Sequence, residues 1–196
     1  VIAPRTLAQR IEEARVAELV SAVVATLKPL YPGVDVRDLP GRIDIADIIA
    51  GDVFAPPMIG VTFGRVRQPI LVGGSYDLPV DMLAYIVVEE TAIGARSVPR
   101  ETVAHAIGAG LFEILADLDA PRWGLNKIRL PEDAEMRPLV TAKAYAQGVA
   151  YYAMSWRQVL LGMGTDPLAR PQSVSFETVL DGVVVPVPDD LSEEPV

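Results

Sequence analysis

Residues 81–125 read DMLAYIVVEETAIGARSVPRETVAHAIGAGLFEILADLDAPRWGL, and a change of period inside this stretch decides the fold class. At its start Met82, Ala84, Ile86 and Val88 alternate with Leu83, Tyr85 and Val87. A strand over residues 81–91 is therefore apolar on both faces and buried on both. After Gly94, the chemistry of a helix start appears: Ser97 as cap and Pro99 in the first turn, where a missing N–H costs nothing. Val103, Ala104, Ile107, Leu111, Ile114, Leu115 and Leu118 then fall within an arc of about 120° on a helix turning about 100° per residue. Burying each large aliphatic side chain contributes about 1.5–3 kcal/mol, which outweighs the roughly 1 kcal/mol that Gly108 and Gly110 each cost the helix. Phe112 and His105 lie outside the arc, near Glu101. Arg122-Trp123-Gly124 makes the following connection, and residues 127–130 return as a short strand.

Toward the N-terminus, Thr6 and Gln9 fit a capping box opening a helix over residues 7–27. Val16, Leu19, Val20, Val23 and Leu27 make its apolar stripe, with Leu7, Ile11 and Ala14 on the other side. Pro29, Pro32 and Gly33 end it, and residues 34–36 read as a short edge strand. Residues 35–57 are rich in acids and turn formers, with Ile43, Ile45, Ile48 and Ile49 suggesting a helical turn or short strand. Residues 58–63 are a strand bounded by Pro56-Pro57 and Gly64. Arg65, Arg67 and Gln68 then precede residues 70–72 and the turn Gly73-Gly74-Ser75, a hairpin with a basic tip.

Toward the C-terminus, Tyr145, Val149, Tyr152, Trp156 and Leu160 fit helical spacing, but adjacent aromatics and Gly148 fit a long two-sided strand over residues 145–161 better. After Gly162 and Gly164 come Pro167, Pro171, Pro186, Pro188 and Pro195, with strand-like alternation over residues 174–187. The last sixteen residues hold five acids and no base. Residues 165–196 thus read as a Pro-rich acidic arm or tail on a single domain over residues 1–164. The fold class is α+β, two-layered, with a mixed, largely antiparallel sheet flanked by the N-terminal helix and the central amphipathic helix.

Composition narrows function. The 196 residues are 51% hydrophobic, enough for one core, and contain no cysteine, which removes disulfides, thiolate metal sites and a thiol nucleophile. No run of about eighteen apolar residues exists, so a soluble protein without a signal peptide is expected. The net charge of −9 repels free nucleic acid and anionic membrane. The bases are skewed to fourteen Arg against Lys28, Lys127 and Lys143, and Arg suits planar, multidentate protein contacts.

Catalytic signatures fail one by one. His105 lies inside a helix, where pairing with Glu101 is the simpler role. Gly73-Gly74-Ser75-Tyr76-Asp77 has Asp77 where a nucleophile elbow needs its second Gly. Gly108-Ala109-Gly110 is inside a helix rather than at an N-terminus that could hold phosphate. Asp44 with Asp47 and Glu89 with Glu90 lack the spacing of a cation loop, and Asp117 with Asp119 terminate a helix, where they are slightly unfavourable against its dipole. No catalytic residue, metal or cofactor is expected. What remains is aromatic and arginine-rich: Tyr145, Tyr151, Tyr152, Trp156 and Arg157 are types enriched in interface cores.

The order of elements, with Ala109-Gly110-Leu111-Phe112 in the helix, the Trp123 connection and the segment Gly148-Val149-Ala150-Tyr151-Tyr152, resembles the tail terminator (tail completion) proteins of tailed bacteriophages, especially the Mu-like type. The resemblance covers residues 6–161. It implies a structural virion protein that assembles in the host cytoplasm into a homo-hexameric ring on the last ring of the tail tube. There it stops tube polymerisation and joins the tail to head-connector and neck proteins, while DNA passes through the lumen without specific binding. Family contacts through hairpins and sheet edges map here to Arg65, Arg67, Gln68, Tyr151 and Arg157, with Phe112 a further interface candidate. The acidic arm departs from the family's compact core. Alternatives are another neck, tube or baseplate component, or a small hydrolase using Ser75 and His105.

Overall fold

The computed structural model describes residues 4–41, 55–72, 75–117, 122–139, 146 and 148–164, and the backbone of 178–180 and 183–185. The capping box forms: the Gln9 amide N–H donates to Thr6 Oγ1 at 3.3 Å and the Thr6 N–H to Gln9 Oε1 at 2.8 Å. It opens a helix of only six residues, α1 (Leu7–Glu12), which buries none of its side chains. The single helix expected over residues 7–27 is instead two, because the chain breaks at Glu13 and Ala14 before α2 (Arg15–Leu30). The physical reason is that only the second half has an apolar stripe to bury: Leu19, Val20, Val23 and Leu27 are buried while Leu7 and Ile11 are exposed. Pro29 does not end α2, which continues to Leu30; Tyr31 follows as C-cap.

The sheet comprises β1 (Asp35–Asp38), β2 (Met58–Val66), β3 (Ile70–Val72), β4 (Ser75–Glu89), β7 (Glu132–Pro138) and β8 (Val149–Met163). Its order is β1-β2-β4-β8-β7, with β3 also on β4; β1 is parallel to β2 and the other pairs are antiparallel. The β4–β8 ladder is the spine, running from Tyr76 opposite Met163 to Glu89 opposite Val149. The strand expected over residues 81–91 thus begins earlier, at Ser75, and residues 145–161 resolve as strand from Val149.

Between β4 and the central helix the expected short connection is a small hairpin, β5 (Thr91–Ile93) with β6 (Arg96–Val98). Ser97 is therefore a strand residue whose hydroxyl donates to Glu90, and the central helix α3 (Arg100–Ala116) starts after Pro99 without a side-chain cap. The two helices pack on one sheet face, where Met82, Ala84, Ile86 and Val88 of β4 meet Leu19 and Val23 of α2 and Ile107 and Leu111 of α3. Gly108 has a structural use: a Cβ there would sit 2.2 Å from Met136 Sδ, so the glycine lets α3 close on β7. Gly110 likewise admits the Tyr31 hydroxyl, which donates to the Ile107 carbonyl at 3.1 Å.

Beyond α3, Trp123 and Gly124 both take positive φ, and the turn drives the Trp123 ring into the core against Trp156, centroids 6.2 Å apart. Its Nε1 donates to Gln158 Oε1 at 3.0 Å. The strand expected over residues 127–130 reduces to an isolated bridge from Ile128 to Leu160, and the true partner of β8 is the polar β7, whose charges hide it from a hydropathy reading. In the arm, β9 (Thr178–Leu180) and β10 (Val183–Val185) form a separate antiparallel hairpin. The isoleucines at 43–49, Asp44, Asp47, Leu118, Asp119 and Tyr145 lie outside the described residues. No helix among the described residues is long and apolar enough to cross a membrane.

Candidate functional site

Neither α2 nor α3 lies on the second face of the sheet, which among the described residues is covered by side chains of the strands and their flanking segments. Its covering side chains change along the strands: at one end Met58, Val87 and Tyr151 cluster with Leu139, then Tyr85, Leu83 and Ala153 with Leu39. At the other end the face becomes ionic. Asp81 stands opposite Arg157 across the β4–β8 ladder, and cross-strand partners share a face.

Two bulges aim flanking strands at this pair. In β2 the register shifts between Phe63 and Arg65, which sets Arg65 opposite Asp81 instead of Gly64. In β7 it shifts between Glu132 and Glu135, with Asp133 at φ +54°. The result is a linked cluster. Asp81 accepts from Arg65 Nε at 2.5 Å and from Arg67 Nε at 2.8 Å, and Arg157 NH1 reaches Asp133 Oδ2 at 2.8 Å. Arg157 Nε lies 3.8 Å from Asp81 Oδ1, too far for a hydrogen bond, and is buried without a partner among the described residues.

Burial raises the Asp81 pKa, but the hydrogen bonds from Arg67 and Arg65 outweigh it and hold the carboxyl below its ordinary range. Reciprocally, the hydrogen bond to Asp81 raises the Arg67 pKa. The cluster borders an open cleft of about 450 Å³ that also takes in Glu135, Arg137 and Ser155. An adjoining groove of about 600 Å³ runs past Gln68 and Arg129 to Ile70. Beneath Arg129 is a third carboxylate: Asp77, buried at a β4 bulge, accepts from Arg129 NH2 at 3.0 Å and from the Gly162 N–H at 3.2 Å.

Of the six residues expected at an interface, the fold therefore brings Arg65, Arg67 and Arg157 onto one carboxylate, with Gln68 beside them. The arginines are not at a hairpin tip as expected: Arg65 is the penultimate residue of β2 and Arg67 enters the link to β3, because β2 pairs with the middle of β4 and β3 pairs with the start of β4. Tyr151 shares the face but is buried in its apolar end, and burial raises its hydroxyl pKa. Phe112 belongs to the helix layer, 37% exposed. Asp81, Asp133 and Arg137 escaped the sequence reading. Asp81 was legible as the charge that opens the apolar run from Met82; the bulges that recruit Asp133 carry no sequence signature.

The tip itself is apolar. Ile70, Leu71 and Val72 of β3 are all exposed, Leu71 at 86%, and Val66 adds to the patch. The hydrolase pair fares differently. Ser75 Oγ donates to the Val72 carbonyl at 2.9 Å, whereas His105 packs edge-on against Tyr152, opposite Ile86. Eleven residues of strand, about 36 Å, separate these points. His105 is thus held by an aromatic contact, and Glu101 hydrogen-bonds Arg100. Among the described residues no group of His, Asp or Glu side chains could hold a metal ion. No protein-family model and no characterised protein matches the chain.

Proposed function

We propose that this chain is a structural virion protein of a tailed bacteriophage, forming a ring at the head-proximal end of the tail tube, ending its polymerisation and joining it to head-connector proteins. The observation that carries the reading is the β3–β4 hairpin. Three consecutive aliphatic residues project from the sheet, on a strand with an outer edge unpaired among the described residues, next to a cluster of arginines fixed in place. Such an edge suits the heterologous contacts of a ring, in which a patch on one subunit meets a different patch on the next. Arginines pre-ordered by Asp81 lose little side-chain freedom on contact, which favours recognition of a neighbour's carboxylates. The helix layer and the β4–β8 spine supply rigidity, and the surfaces supply the activity. The hexameric stoichiometry and the virion location belong to the same proposal and rest on the element order from α1 to β8.

The test is electron microscopy of the purified protein, alone and mixed with purified tail tubes. Closed rings, and tubes capped at one end and arrested in length, are expected. Self-polymerisation into long tubes would transfer the protein to the tube class, and a protein that neither rings nor caps tubes would sink the proposal.

A further inference from the structure

Five arginines line the cleft and its adjoining groove: Arg65, Arg67, Arg129, Arg137 and Arg157. The carboxylates of that lining are Asp81, Asp133, Glu132 and Glu135, and the buried Asp77 beneath Arg129 brings the two signs level, a local balance that sets this surface apart in a chain that is net −9. The two signs are also layered. Asp81 and Asp77 are turned inward, their side chains 20% and 6% exposed, while the Arg65 and Arg129 side chains above them are 65% and 50% exposed. Donors exceed acceptors as well: Arg137 has no ion pair among the described residues, and Arg157 Nε is buried without a hydrogen bond. What fits is an extended acidic segment with a few apolar side chains, the latter against Val66, Ile70, Pro79 and Val159, which line the groove between the arginines.

The most acidic such segment lies near the C-terminal end of the sequence. Residues 189–196 read DDLSEEPV, four acids with Leu191, Pro195 and Val196 and no base. The strand β8 ends at Met163, opposite Tyr76 within the β3–β4 hairpin, the groove's own end of the sheet. Of the twenty-five residues from there to Asp189, eight double back in the β9–β10 hairpin, and the remaining seventeen span up to about 55 Å when extended, enough to turn back. We propose that residues 189–196 dock in the arginine-lined cleft of their own chain, laying Asp189, Asp190, Glu193 and Glu194 along the exposed guanidinium groups. A tethered segment meets its site at an effective concentration near millimolar, so modest charge pairing suffices for occupancy. The cleft would then be covered in the free subunit, and a partner would reach it by displacing the segment. This inference is independent of the phage reading.

Cysteine trapping in the full chain, which has no cysteine of its own, tests it. One double variant carries Gln68→Cys in the groove and Ser192→Cys between the acids; the control carries Ala109→Cys on the exposed side of α3 with the same Ser192→Cys. An intrachain disulfide is expected to form at least tenfold faster in the first, slowed severalfold by 1 M salt and by adding Arg137→Glu, which breaks no ion pair among the described residues. Equal rates at both positions, indifference to salt and to Arg137→Glu, or crosslinks only between chains would each overturn the proposal.

Discussion

The two faces of the β4–β8 ladder share a backbone but not a logic. On the helix face, Met82, Ala84, Ile86 and Val88 are all fully buried, together with Met154 and Trp156. One residue out of phase, Val87, Tyr85, Leu83 and Asp81 run from fully buried to charged and partly exposed. The first face is a core and can be understood from area alone. The second is a gradient, anchored by an apolar end and finishing in an ionic cluster that two bulges assemble. A single strand therefore carries both the scaffold and the surface, divided by its pleat.

The comparison breaks most sharply on the helix face. Ile86→Ala removes a fully buried side chain between two layers and is expected to cost about 2–5 kcal/mol in denaturant unfolding. A cost below that of Leu83→Ala, on the other face and 9% exposed, would reverse the ranking of the two faces.

The cover of the second face is tested next. Leu39 sits directly over Gly60, where a Cβ would lie 2.4 Å from Leu39 Cδ1. Gly60→Ala should displace Leu39 and cost about 1–3 kcal/mol through overpacking. If Leu39→Ala in the same chain leaves that cost unchanged, Leu39 is not the side chain being pushed.

At the ionic end, Asp81→Asn leaves Arg65 and Arg67 without their carboxylate, and because both arginines face solvent the loss near neutral pH should be only about 0.5–1 kcal/mol. The sign of its pH dependence follows from the lowered Asp81 pKa. The contribution is complete above the unfolded value of about 3.9 and is lost as pH falls through the lower folded value, so wild type and variant should converge only in strong acid. A stability gap that stays constant down to pH 2 would contradict this. At the alkaline limit, burial, with a smaller contribution from Glu113, pushes the Tyr31 hydroxyl up to about 12. Because the fold favours its neutral form, that stabilisation is complete below about pH 10 and is lost as pH rises toward 12, with one tyrosinate appearing late in an absorbance titration.

The smallest effect belongs to α1. Thr6→Ala should lose the capping box yet change global stability by under about 0.5 kcal/mol, because the helix buries no side chain.

The sequence carried the α+β class because residues 81–125 switch period from two to 3.6 within one stretch, and the stripes of α2 and α3 name their own buried residues. It carried less where structure depends on partners distant in the chain. The break at Glu13 follows from what α2 can reach in the sheet, and β7 is a strand because β8 offers it an edge, not because its residues EDAEMRP prefer one. Three candidate interface arginines were legible as residue types, and their convergence on Asp81 was not, since it requires the registers of β2 and β8 on β4. Ser97 shows the opposite failure: good capping chemistry lost to a hairpin that used the residue first.

The central claim is that the exposed edge at β3 is a contact surface between copies of this chain. Native mass spectrometry of the full-length protein beside Leu71→Asp tests it most directly. A closed oligomer that falls to monomers in Leu71→Asp, with unchanged circular dichroism, is the predicted result. A wild-type protein that stays monomeric at all concentrations, or an oligomer indifferent to Leu71→Asp, would contradict the account.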